Sequence, residues 1–169
     1  MARRSSRANL EGEKRRHRIE WEPGSVFGMA LGDGTFALGQ VLHSEEHGGT
    51  APMVLLDVRQ SILALPKSDV MMLGRASVAV NELDRGSWPV LGVAAIKLKN
   101  SEWPNAKQRE TGNWIGSVWI TPGLFERFAK ACWGVIPWNS MHDPQYFEKY
   151  LLPGRPRPKS LVMKPRADE

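Results

Sequence analysis

Apolar positions are densest between Trp21 and Asp57. A first run, Val26-Phe27-Gly28-Met29-Ala30-Leu31, and a second, Thr35-Phe36-Ala37-Leu38-Gly39-Gln40-Val41-Leu42, flank Gly32-Asp33-Gly34. Apolar runs on either side of an Asp-Gly pair predict a β-hairpin. The second run alternates, with Phe36, Leu38, Gln40 and Leu42 opposite Thr35, Ala37, Gly39 and Val41. Gly28 and Gly39 lie inside these strands, where a missing side chain points to a bulge or bend. A third run, Met53-Val54-Leu55-Leu56-Asp57-Val58, follows a polar loop. The unit predicts a bent antiparallel sheet or a small SH3-like β-barrel.

Further along, Val70–Val80 reads as another strand with room for a kink, and Asn81–Ser87 as a charged turn. Trp88-Pro89-Val90-Leu91-Gly92-Val93 is a short apolar segment, confined to an edge or a strand start because proline cannot donate to a ladder. Lys97–Gly112 is polar and predicts a long exposed connection, and Asn113–Ile120 a strand carrying Trp114 and Trp119. Thr121-Pro122 predicts a helix start and Gly134 its stop. Leu124, Phe125, Phe128 and Cys132 share one face of that helix, while Glu126 and Lys130 form an i,i+4 pair. A second helix is expected after Asp143-Pro144, with Phe147, Tyr150 and Leu151 as its stripe, ending at Pro153-Gly154. The fold class is α+β, the sheet or barrel being packed by two C-terminal helices.

Composition divides the chain of 169 residues into three parts. Residues 1–18 hold Arg3, Arg4, Arg7, Lys14, Arg15, Arg16 and Arg18 against two glutamates and have no apolar periodicity, the pattern of a disordered basic arm. Residues 153–169 form a proline-containing basic tail in which only Leu161-Val162-Met163 offers an edge strand. The body, 19–152, reads as one globular domain with eleven basic and fourteen acidic residues, a net charge of −3. The overall +5 therefore belongs to the arms, which weakens any reading of the body as a nucleic-acid platform. One cysteine excludes an intrachain disulfide. No secretion-type or membrane-spanning apolar run occurs, so a cytoplasmic location is expected.

Candidate chemistry is sparse. His43-x-x-Glu46-His47 matches the H-x-x-E-H spacing of inverted zinc peptidases, but such sites need a helix, and here a strand and a Gly-Gly pair bound the motif. The solvated-loop reading is preferred, with no metal and no cofactor. Cys132, with His142 as a distant base, sits on an apolar helix stripe and reads as a small hydrophobe. No phosphate-cradling glycine loop and no nucleophile elbow is present, so no catalytic residue is assigned and the chain is not read as an enzyme. Trp88, Trp103 and Trp138 adjoin loops, where an exposed ring would anchor a protein partner, and Glu45 and Glu46 supply acidic loop positions beside them.

The hairpin segment, Pro23–Phe27 through Gly32–Leu42, resembles the opening of the Imm26-type immunity proteins of bacterial polymorphic toxin systems. An apolar-Asp-Gly turn there leads into an aromatic-x-x-Gly-x-Val strand. The strand reaching Asp57, the segment Trp88–Gly92 and the helix beyond Trp138 are similar to later pieces of the same pattern. The positions that carry the likeness are Gly24, Phe27, Asp33, Gly34, Gly39, Asp57 and Gly92. Trp138 departs from it by its distance from Pro144, and both basic arms lie outside it. The resemblance implies a non-enzymatic inhibitor that binds a cognate protein toxin, with no catalytic residues. The body's negative charge suits a basic toxin such as a nuclease. The alternative is a nucleic-acid-associated small barrel whose two basic arms contact phosphates; the N-terminal arm has no aromatic residues interleaved for base stacking.

Overall fold

The computed structural model describes residues 20–165, and alternation of side chains across the strands builds it. Five strands, β1 (Ser25–Ala30), β2 (Phe36–Val41), β3 (Thr50–Gln60), β4 (Met72–Ala79) and β5 (Val90–Val93), form one sheet in the order β4-β3-β2-β1-β5. Every ladder is antiparallel. β4 and β5 are the two edges, and no ladder joins them among the described residues. The sheet is therefore open, and of the two architectures expected from the sequence it is the bent sheet that is seen. Register shifts in three of the ladders supply the bend, one of them beside Gly39.

The glycines inside the hairpin serve packing as well as curvature. Gly39 faces Phe27 across the ladder, and a Cβ on Gly39 would lie 2.3 Å from the Phe27 ring. On the opposite face a Cβ on Gly28 would meet Leu63 Cδ2 at 2.3 Å. The turn itself runs from Leu31 to Thr35, closed by Leu31 N donating to Thr35 O at 3.0 Å. Gly32 and Gly34 both take left-handed conformations there, at φ +85° and +86°, which an L side chain adopts only with strain. Asp33 accepts from Thr35 N at 3.0 Å and from the Thr35 hydroxyl at 2.5 Å, and pairs with Arg59. Those contacts, the Thr35 hydroxyl first, hold the Asp33 carboxyl below the usual carboxylate range.

Both faces of the sheet are covered. Phe27, Met29, Val41, Met53, Leu55 and Val78 pack with helix α3 (Pro122–Cys132) on one side. Val26, Leu38, Leu42, Val54 and Leu56 pack with Leu98, Trp103 and Leu152 on the other. The near-continuous apolar run of β3 has its explanation here, because a strand buried on both faces has no polar side. The second cover is the stretch from Lys97 to Gly112, expected from the sequence to be an exposed connection. It carries a 3-10 turn (Asn100–Glu102) and a short helix, and its two large apolar side chains, Leu98 and Trp103, are both buried. Gln40 steers the chain onto this face, its amide donating to Ala94 O at 2.9 Å and to Gly24 O at 3.3 Å.

Three further expectations are corrected. Asn81–Ser87 contains a helix, α1 (Asn81–Arg85), because Leu83 is buried and Gly86, at φ +77°, closes the C-terminus; the helix after Lys97 is then α2 (Ala106–Thr111). Asn113–Ile120 is not a strand. Asn113 Oδ1 accepts from Ile115 N at 3.1 Å and Gly116 takes φ +79°, which turns the chain before Ile120 bridges Val78. The second C-terminal helix is a 3-10 segment, Tyr146–Tyr150, introduced by Asp143 accepting from Gln145 N at 2.9 Å. Leu161-Val162-Met163 forms no strand, yet Val162 O accepts from Trp138 N at 2.7 Å and Ser160 Oγ donates to Cys132 O at 2.7 Å.

The start of α3 follows its sequence signal, with Thr121 Oγ1 accepting from Leu124 N at 3.2 Å ahead of Pro122. Thr121→Ala is expected to lower stability by about 1 kcal/mol, and Thr121→Ser to restore most of it. Urea unfolding of the three proteins checks this; an alanine variant as stable as the parent would refute the capping role.

Candidate functional site

The loop between β2 and β3 holds the residues expected to carry chemistry or contact a partner. Glu46 closes it by donating its N–H to Thr50 O at 2.6 Å and accepting Gly49 N at 3.1 Å through its carbonyl. Its side chain, only 5% exposed, receives Arg109 Nε at 2.5 Å and Nη2 at 2.6 Å. Glu46 is thus committed to an internal fork with α2, and only Glu45 of the acidic pair is exposed. His43 lies against the Trp103 ring at 5.7 Å and His47 stacks on Trp114 at 5.9 Å. The two imidazoles therefore rest on different aromatic rings with Glu46 turned away to Arg109. No cluster of three or more His, Cys, Asp or Glu suited to a metal occurs among the described residues.

The three tryptophans expected as exposed anchors are buried instead. Trp88 stacks on Phe27 with ring centroids 5.0 Å apart and donates Nε1–H to Glu126 at 2.7 Å. This bond takes Glu126 away from the pairing with Lys130 that the helix spacing predicts. Trp138 packs against Phe128 and Phe147 at 6.3 and 5.5 Å and donates to Glu148 at 3.2 Å. Trp103 lies under the Arg109 guanidinium at 5.5 Å and donates to Leu98 O at 2.9 Å. Each indole N–H finds a partner, the requirement for burying such a ring. Cys132 is fully buried, which pushes its thiol far above the usual range, while His142 is exposed.

The remaining signature positions are backbone features. Gly24 takes φ +92° with Ala94 O close against it, and Gly92 lies under Leu65. Asp57 is exposed and donates its N–H to Met71 O at 2.7 Å. Arg3, Arg4, Arg7, Lys14, Arg15, Arg16 and Arg18, the residues of the nucleic-acid alternative, lie outside the described residues.

Sequence reasoning missed the surface that the fold assembles from distant pieces. A groove of about 800 Å³ opens between the β2–β3 loop, α1 and the start of α3. Glu45, Glu82, Asp84 and Glu126 line it, against one basic residue, Arg85, which pairs with Glu82. Asp84 also accepts Trp21 Nε1–H at 2.9 Å. A second groove, of about 760 Å³, shares Glu45 and adds Glu20 and Glu22, extending the acidic face. At the rim of the first stands the turn before α3, with Ile115 86%, Val118 64% and Trp119 54% exposed. The groove is concave and mostly acidic among the described residues, and Trp119 projects beside it. The sequence signal for the turn was its Asn, Gly and Ser content between Asn113 and Ser117; no local signal places the four carboxylates together. No helix among the described residues is long and apolar enough to cross a membrane. Comparison of the chain with protein families, with curated proteins and with solved structures finds no match.

Proposed function

We propose that this chain is a non-catalytic immunity protein, acting in the bacterial cytoplasm, that binds and neutralises a cognate basic toxin of the nuclease kind by protein–protein contact. The observation that carries the reading is the acidic groove with Trp119 at its rim. Among the described residues four carboxylates and one arginine line the groove, a balance that favours a basic partner, and opposite charge raises the encounter rate. The exposed apolar turn Ile115–Trp119 supplies the anchor that charge alone does not, because binding energy concentrates in a few desolvated, usually aromatic, side chains. The resemblance of the hairpin region to immunity proteins supplies the class of partner.

The test is retention of a toxin from lysate of the native host at low salt. The full chain is expected to retain a basic toxin. Trp119→Ala is expected to weaken that complex by about 2 kcal/mol, roughly thirtyfold. Combining it with Glu45→Lys should also slow association at low salt. Failure to retain any toxin, or a complex indifferent to both changes, would remove the proposal.

A further inference from the structure

The geometry points to a binding site for a small aromatic anion on the outer edge of β4, beside the acidic groove, with which it shares Trp119. Among the described residues that edge is covered at two points, by the bridge of Leu151 to Gly74 and the bridge of Ile120 to Val78. Between them a cavity of about 290 Å³ opens, lined by Arg75, Ser77, Asn105, Trp119, Lys149 and Tyr150 among others. Its size is close to the lower end of small-molecule sites, about 300 Å³.

Two cationic groups in its lining form no ion pair among the described residues. The Arg75 guanidinium is partly buried yet makes no hydrogen bond and no ion pair among the described residues. Burial works against its charged form, with only the more distant Glu102 opposing this. The Lys149 ammonium rests on the Tyr146 and Tyr150 rings, 3.8 and 5.3 Å from their centroids, with no carboxylate partner among the described residues. A half-desolvated unpaired arginine is unfavourable, and its presence with an unpaired ammonium at one cavity marks a place completed by an acceptor. A carboxylate or phosphate satisfies both, and an arginine fork binds either in two-pronged fashion.

The rest of the wall is flat and apolar, made by Trp119, Val118, Ile120 and Tyr150. Trp119 is held in place by its neighbour: Asn105, at φ +56°, accepts from Val118 N at 2.9 Å and donates to Val118 O at 2.8 Å. A rim fixed before binding lowers the ordering cost of a ligand. The ligand class is therefore a planar ring bearing one carboxylate or phosphate, the ring on Trp119 and the anion at Arg75 and Lys149.

The experiment titrates the full chain with benzoate and with phenyl phosphate, alongside benzyl alcohol as a neutral control and inorganic phosphate as a ringless one. The Trp119 indole N–H resonance, assigned through Trp119→Phe, is followed together with calorimetry. Saturable binding of at least one aromatic anion is expected, tighter than either control by about tenfold or more. Arg75→Met is expected to weaken it by about tenfold or more, and Lys149→Met to weaken it severalfold. The two aromatic probes tell a carboxylate preference from a phosphate one. No saturable shift at millimolar probe, equal response to benzyl alcohol, or undiminished binding in both variants would overturn the proposal. No toxin is present in this measurement, so its outcome is independent of the immunity reading.

Discussion

Replacing Phe128 by alanine is expected to lower the unfolding free energy by about 3–5 kcal/mol, the largest loss from any single truncation in this chain. Phe128 is fully buried at the centre of an aromatic cluster. Its ring lies 6.4 Å from Phe125, 6.3 Å from Trp138, 6.0 Å from Phe147 and 5.6 Å from Tyr150. It also covers the kink in β4, where a Cβ on Gly74 would approach the Phe128 ring to 2.6 Å. No neighbouring ring is flexible enough to close the space that alanine leaves. For a chain of this size the loss corresponds to a fall in melting temperature of roughly 10 °C. Urea and thermal unfolding measure it, with Ile115→Ala, at an exposed site, as a control within about 0.5 kcal/mol of the parent. A loss for Phe128→Ala below about 1 kcal/mol would mean that α3 does not anchor the sheet as described.

Arg109→Met is expected to have the next largest effect, about 3 kcal/mol, because it leaves the Glu46 carboxylate buried without its partner. Arg109 is only 18% exposed and gives two hydrogen bonds to Glu46 and one, at 2.9 Å, to Pro104 O. Most of the loss is the penalty on the stranded carboxylate rather than the value of the pair. The double variant Glu46→Gln with Arg109→Met should therefore be more stable than the arginine variant alone. A double-mutant cycle measures this coupling directly. If the two losses simply add, the fork contributes nothing as a unit. The pair also fastens α2 to the β2–β3 loop, so Arg109→Met should speed amide exchange across 43–50 well before global unfolding.

Local features were legible where neighbouring residues decide the conformation. Gly32, Asp33 and Gly34 form a turn because left-handed backbone and a short side-chain acceptor are needed within five residues. Thr121-Pro122 starts a helix because the free N–H groups it satisfies lie within the next turn. The α+β class and the hairpin follow from such short-range rules.

Where the partner of a residue lay far along the chain, the sequence misled. Trp88, Trp103 and Trp138 stand next to loops, and adjacency to a loop carries no information on depth. Trp88 bonds Glu126, 38 residues on; Trp103 and Trp138 bond Leu98 and Glu148, only 5 and 10 residues away, but the apolar surfaces that bury those rings come from distant strands. Lys97–Gly112 appeared exposed because two large apolar residues give no period, yet the second face of the sheet needed a cover and those two supply it. Glu46 and Arg109 are 63 residues apart, and the acidic groove joins three separate segments.

By itself, then, the sequence determined the hairpin, its bend, the capped helix α3 and the charge contrast between arms and body. Each depends on bond geometry, hydrogen-bond reach or composition over a few residues. Only the tertiary structure decided that the sheet is open and covered on both faces, that three tryptophans are core, and that Trp119 stands exposed between an acidic groove and a cavity with unpaired Arg75. Those outcomes turn on which distant surfaces exclude water from one another, and a linear pattern of apolar positions does not contain that choice.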